Sequence, residues 1–415
     1  MKILFITLLS FVAVCVGRGS ALDSAFGRVP TMSTKEASVI KEASEMSDTA
    51  KILEILKEAS EKKWAGSAIW FNLANAQMIA SDYASAVESY RKAIEKTPSF
   101  FMAQKNLAFA LEKMGRTDEA FFEMKKALAL SGGSDCSILG RLATRSAENK
   151  DYCAALNFCN QALMYEPSNA DMIFAKAIFL FELGLFDECE KVCASILSKN
   201  GENAQALRLI GKSRAKRGDY KSAISAFEIL KKSGKAQKCD FAFLGDLMSQ
   251  EKLYKRAVEN YLKADKSSSI ENATLALLYS GDSIGALEIA QKLGDTPSKF
   301  KIIGLANFNL GKLADAKRYL EKYVSQRGDD TFVLLRLADV YLAESDYSKA
   351  QAMYIQAQSD SKMILPALYG QMRVELAKNN YRSALRIAKQ IEKINPSEEI
   401  SNYAKQLEKH CAELE

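Results

Sequence analysis

Three cations, Arg208, Lys212 and Lys216, recur at four-residue intervals in ALRLIGKSRAKRGD. On a helix that spacing lays all three along one face. Upstream, Phe174, Ile178 and Phe181 follow a similar rhythm in DMIFAKAIFLFE. A basic row beside an apolar row can hold a peptide that presents a carboxylate near a large side chain. The same residues would serve equally as a solvated face and as packing between helices.

Sulfur is the other reactive chemistry. The chain has 8 cysteines; besides Cys15 they stand at 136, 153, 159, 189, 193, 239 and 411. Cys189 and Cys193 are four apart on one helical face. They read as small buried hydrophobes, as partners of Cys159 in a disulfide, or as metal ligands. The metal reading has little support, because there is one histidine, His410, and no paired CxxC. A Ser–His or Cys–His centre would have to use that histidine, which lies in the charged end QLEKHCAELE and reads as a surface or capping residue. The sequence has no glycine-rich phosphate loop and no nucleophile elbow. No cofactor and no catalytic activity are expected.

These side chains must be positioned by helices. The chain has 415 residues, more than one compact core usually holds, with only 6 prolines and 21 glycines. Apolar content is 48% and the net charge is +6. That is a helical composition, and the charge is too mild to suggest nucleic acid as a partner.

MKILFITLLSFVAVCVGRGSALDS has one cation, a short apolar run and small residues ending at Ala21. This is the pattern of a secretory signal peptide over 1–21, too short for a membrane span. The mature chain is expected to be periplasmic or secreted. Lipid anchoring at Cys15 is disfavoured by Val14, and an uncleaved anchor by the run's length. No later segment is apolar and long enough to span a bilayer. Residues 22–66 carry two helical patterns, roughly 34–46 and 48–62, read as an N-terminal cap.

A small residue recurs at 86, 120, 155, 189, 223, 257, 286, 316, 350 and 384, in segments such as DYASAVESY, DYCAALNFC and DYSKAQAMY. The steps are 34 or 35 residues, except for 29 and 30 on either side of 286. A steady period marks stacked helical hairpins. Small residues such as Ala74 and Ala86 belong where two helices cross closely, with Trp70, Leu73 and Tyr90 filling the space beside them. An aromatic at 83, 152, 186, 220, 254, 347 and 381 marks the turn between helices, and Pro98, Pro167 and Pro396 stop the second helix. Cys189 stands at a small-residue place.

This pattern resembles the tetratricopeptide repeat over roughly 67–398. The resemblance implies an all-α, right-handed superhelical solenoid of antiparallel helix pairs, about ten units in all. Six regular units would cover 67–269. A degenerate one near 267–296, with a stunted first helix, would act as a hinge at 270–296. Three more would cover 297–398, and a charged helix at 399–415 would cap the stack. It implies a concave groove that binds a protein or peptide, lined by the second, fifth, ninth and twelfth or thirteenth residues of each first helix. Arg208, Lys212, Lys216, Phe174, Ile178 and Phe181 hold such places. Lys105, Lys301, Arg336 and Arg373 project nearby, and Phe332, Leu335 and Tyr369 would form an apolar strip. Asn75, Asn106 and Arg141 match the Asn, Asn and Arg of the family's carboxylate clamp, whereas Phe71 and Ser137 replace its two lysines.

The function implied is a non-enzymatic exported scaffold in an envelope or secretion assembly, acting as a monomer. The alternative is a polysaccharide-export or cell-wall assembly factor that binds an acidic polymer. The sequon Asn272-Ala273-Thr274 leaves a eukaryotic luminal setting open.

Overall fold

The computed structural model describes residues 30–264 and 267–413; the leader expected at 1–21 lies outside them. Among the described residues every regular element is a helix. The chain forms two compact units that part between Ser213 and Arg214.

The first unit opens with a pair, α1 (Thr34–Glu45) and α2 (Thr49–Ser60). Four hairpins follow: α3 (Ser67–Ile79) with α4 (Tyr83–Lys96), α5 (Phe101–Lys113) with α6 (Thr117–Leu130), α7 (Cys136–Glu148) with α8 (Tyr152–Tyr165), and α9 (Ala170–Glu182) with α10 (Phe186–Lys199). Helix α11 (Ala204–Lys216) runs across the unit boundary. The second unit continues with α12 (Tyr220–Lys232), α13 (Lys238–Gln250), α14 (Tyr254–Ala264), α15 (Ser267–Tyr279) and α16 (Ser283–Ala290). Then come α17 (Pro297–Asn309), α18 (Leu313–Val324), α19 (Thr331–Ala343), α20 (Tyr347–Ala357), α21 (Ile364–Ala377), α22 (Tyr381–Ile394) and α23 (Glu398–Glu413). Helices α4, α8 and α22 each stop two residues before a proline, which cannot continue the main-chain ladder.

In five hairpins the turn has one construction, which in four of them explains an Asp-aromatic pair. The residue before the aspartate turns left-handed, with φ of 63° at Ser81, 61° at Lys150, 80° at Gly218, 84° at Gly281 and 65° at Ser345. The aspartate N–H then bonds a carbonyl five residues back at 2.9 Å, closing the first helix. The side chains of Asp82, Asp151, Asp219, Asp282 and Asp346 accept the N–H three residues on, at 2.8–3.2 Å, opening the second. Lysine has no such freedom at positive φ. Lys150→Gly is therefore expected to stabilise the protein by about 1 kcal/mol, read as a higher denaturation midpoint.

All ten recurring small residues are 0–1% exposed, so the sequence register is the packing register. In the first unit Ala86, Tyr90, Ala120 and Met124 share a core with Phe71, Phe100 and Leu107. In the second, Ala316, Leu320, Ala350 and Tyr354 share one with Val333, Leu337 and Val374.

The irregular repeat differs from expectation. Its first helix, α15, has the full 13 residues; the second, α16, is cut to 8. The missing residues lie between the starts of α14 and α15 and between those of α16 and α17, not in the helix before Gly281. Ala290 and Leu293 still pack on Ile302, with Ile270, Leu275 and Leu278 against them, so the shortened pair is joined to α17 by an apolar core. At the C-terminus α23 buries Ile400, Ala404 and Leu407 on Ala388 and Ile391 of α22. That spacing is one apolar stripe, as a capping helix needs.

Candidate partner-binding groove

Most of the polar residues expected in the groove are occupied within the chain. Asn75 and Asn106 come together, but as core residues, 3% and 8% exposed. Asn75 Oδ1 accepts from Tyr90 Oη at 2.5 Å and from Asn106 Nδ2 at 3.1 Å. The tie recurs in the second unit. Tyr261 Oη donates to Asp246 Oδ1 at 2.8 Å, with Asn272 Nδ2 at 3.4 Å. Tyr354 Oη donates to Asp339 Oδ1 at 2.7 Å, and Arg373 also bonds Asp339. In each case a second-helix tyrosine fixes an Asn or Asp on its own first helix, and the next first helix adds a donor. Burial pushes the Tyr90 phenol well above its ordinary range, so it stays a donor. The tie went unread in the sequence, although a tyrosine 15 residues after Asn75, Asp246 and Asp339 was its signal.

The remaining clamp residues do not join it. Phe71 is core, its ring centre 4.7 Å from Phe100. Arg141 pairs with Glu112 at 2.5 Å and lies 4.1 Å from the Phe109 ring centre. The two asparagines thus hold the repeats together, and Arg141 is ion-paired within the chain. Lys105 is engaged likewise. Its ammonium meets Asp135 at 2.7 Å and its side chain is only 17% exposed.

In the second unit Lys301 meets Asp330 at 2.7 Å, and Arg336 and Arg373 share Asp339. Of the apolar strip, Phe332 and Tyr369 are exposed and Leu335 is buried. On α11, Lys212 and Lys216 are exposed; Arg208 is half-buried and already engaged by the protein. Phe174, Ile178 and Phe181 are half-buried, Ile178 against the core around Cys159 and Phe181 edge-on to Phe186 at 5.6 Å.

What the first unit does present is a cavity of about 660 Å³. Ser137, Gly140, Thr144 and Glu148, the second, fifth, ninth and thirteenth residues of α7, all line it, as do Glu112 of α5 and Asp171 of α9. These are the groove positions of three successive first helices. Phe121, Met124 and Met172 give it apolar walls. Its two guanidiniums are spoken for: Arg141 by Glu112, and Arg145 by Glu148 and Asp118, each at 3.1 Å, and by Thr117 Oγ1 at 2.8 Å. The Cys136 thiol at its edge is pushed up by burial and by the carboxylate of Glu166, so it remains protonated.

The seven described cysteines are all free thiols. Cys159, Cys189 and Cys193 are fully buried. Cys159 Sγ donates to the Met172 carbonyl at 3.1 Å, and burial pushes its thiol up to about 11. Cys189 is held below its usual range, first by a hydrogen bond from Cys193 and then by one from Ser213. Among the described residues no group of three or more His, Cys, Asp or Glu could hold a metal ion. The sequon lies within α15, where Thr274 is fully buried and its hydroxyl bonds the Glu271 carbonyl at 2.6 Å.

Antiparallel hairpins in chain order, sealed by small residues at each crossing, define a helical-hairpin repeat protein. Sequence profiles described as the tetratricopeptide repeat match residues 67–135 and 146–213. Over those residues the chain carries tetratricopeptide repeats. Solved structures similar to it include that of Naa15/Naa10 bound to HypK-THB, at 15% identity and a TM-score of 0.48. That match covers 90% of this chain and 66% of the other, so this chain spans just under two thirds of that protein's length. The APC/C hetero-tetramer Cut9-Hcn1 matches at 16% identity over 91% and 85% of the two chains, TM-score 0.41. YrrB, described as a tetratricopeptide-repeat protein with an unusual peptide-binding site, matches at 20% identity over 43% and 91%, TM-score 0.38.

Proposed function

We propose that this chain is a non-catalytic scaffold, exported by its N-terminal leader to an envelope or secretion assembly, that binds a partner polypeptide in the first unit. The single observation that carries the reading is the cavity on α5, α7 and α9. Groove positions of three helices converge there on a space of about 660 Å³ with apolar walls, large enough for side chains of an extended segment. Tetratricopeptide repeats are interaction modules, and the apolar stems and satisfied ion pairs around this space suit a peptide. Its carboxylates argue against an acidic polymer as the ligand.

A photo-crosslinking side chain at Ser137, compared with one at exposed Lys191, tests the site in cell extract. The expected result is one dominant polypeptide adduct at 137 and none of it at 191; equal patterns from both positions would refute the site. Export is tested separately by the intact mass of the native protein. Loss of residues 1–21 supports it, and a full-length chain in the cytosol excludes it.

A further inference from the structure

The chain contains its own template for what belongs in the cavity. Helices α5 and α17 each carry a lysine as their fifth residue, Lys105 and Lys301. Each ammonium crosses to the aspartate that caps the next first helix, Asp135 or Asp330, at 2.7 Å in both cases. The same two aspartates accept from Ile138 N and Val333 N, so each carboxylate joins a helix start to a cation from the preceding repeat. An aromatic ring flanks each ammonium, Phe101 at 5.7 Å and Tyr323 at 5.8 Å.

In α7 the fifth residue is Gly140, which leaves this inter-repeat place open on the cavity. The next cap is Asn169, whose Nδ2 donates to Glu166 Oε2 at 2.8 Å. The surroundings still call for a cation. Glu112, Glu148, Glu166 and Asp171 line the cavity against only Arg141 and Arg145, and the first two carboxylates already pair with those arginines. Glu166 and Asp171 form no ion pair among the described residues. Helix α8 ends beside them without a basic residue in its last turn, so its carbonyl end adds negative potential. A Cβ at Gly140 would meet Met172 Cε at 3.4 Å, so a thioether lies along the path a lysine's methylenes would follow.

We propose that the cavity seats a lysine or arginine side chain supplied by the partner polypeptide, in the place that Lys105 and Lys301 fill from within the chain. This rests on the groove reading above and concerns a different place from the basic face of Arg208, Lys212 and Lys216. The carboxylate-bearing peptide anticipated from the sequence belongs to that α11 face, whereas this cavity selects a basic side chain.

The test uses random dodecapeptides displayed on phage and selected on the purified full chain, followed by synthetic copies measured by fluorescence anisotropy. The selected pool is expected to concentrate lysine or arginine at one position. Changing that residue to alanine should weaken binding about tenfold, the loss typical of a buried charged anchor. Gly140→Lys supplies the cation internally and should abolish binding while its melting temperature holds or rises; Gly140→Ala should bind as the native chain does. Glu166→Gln with Asp171→Asn should weaken binding about fivefold and flatten its salt dependence. A pool rich in acidic or neutral anchors, rejected by a cavity-filling Gly140→Trp chain, would overturn the basic-residue inference and leave the groove reading standing. A basic pool that binds Gly140→Lys unchanged would also overturn it. Failure to select any peptide that distinguishes the native chain from Gly140→Trp would remove the groove reading itself.

Discussion

Replacing Tyr354 with alanine is expected to destabilise the second unit by about 3–5 kcal/mol, the range for emptying a buried aromatic site. The ring is 0% exposed, in the core between α19, α20 and α21. Gly370 sets how closely α21 approaches it: a Cβ there would lie 2.2 Å from Tyr354 Cε1. The helices are held at that separation by the ring itself, so they have little freedom to collapse on a hole. The phenol also holds Asp339, which anchors Arg336 and Arg373 of successive repeats. For a unit of this size the loss corresponds to a fall of roughly 10 °C in its melting transition. Tyr354→Phe keeps the ring and removes one hydrogen bond, so it should lose only about 1 kcal/mol. Calorimetry separates the cases. Equal losses for the two variants would mean that the polar tie, not the packing, sets the stability.

Glu36→Ala is expected to release the N-terminal pair α1 and α2 at a cost of about 2–3 kcal/mol. The carboxylate is buried. Its Oε1 accepts Gly66 N at 2.8 Å, and its Oε2 accepts Ser33 N at 2.8 Å and Ser33 Oγ at 2.9 Å. One side chain therefore completes the capping box of α1 and bonds the cap residue of α3, 30 residues on. Alanine leaves those N–H groups unpaired beside the core of Ile40, Ala59, Ala65 and Ile69. Hydrogen exchange should quicken in α1 and α2 while α5 to α10 stay protected, because each repeat depends chiefly on its neighbours. Uniform quickening along the first unit would show instead that the cap is needed for the whole stack.

Much of the fold was legible because it is written in local periodicities. The aromatic residues at 83, 152, 186, 220, 254, 347 and 381 each open a second helix, and Pro98, Pro167 and Pro396 each follow one. The shortened repeat was located correctly but its missing piece was assigned to the wrong helix. A shift in period counts lost residues without saying which helix gave them up. The site was much less legible. Asn75, Asn106, Lys105 and Arg141 carry the right types for binding, yet each is consumed by a partner within the fold. Gly140, which lines the cavity, has no side chain to attract notice.

The sequence by itself determined the helical hairpins, their register and the small residues at each crossing. These depend on contacts three and four residues apart and on a repeating exclusion of bulk, both visible along one strand of text. Only the tertiary structure decided which charges remain free. Ion pairs such as Lys105 with Asp135, and the open place at Gly140, join residues about 30 positions apart. Whether such groups meet depends on how one hairpin seats on the next, and where Gly140 stands for the lysine and Asn169 for the capping aspartate no such ion pair forms.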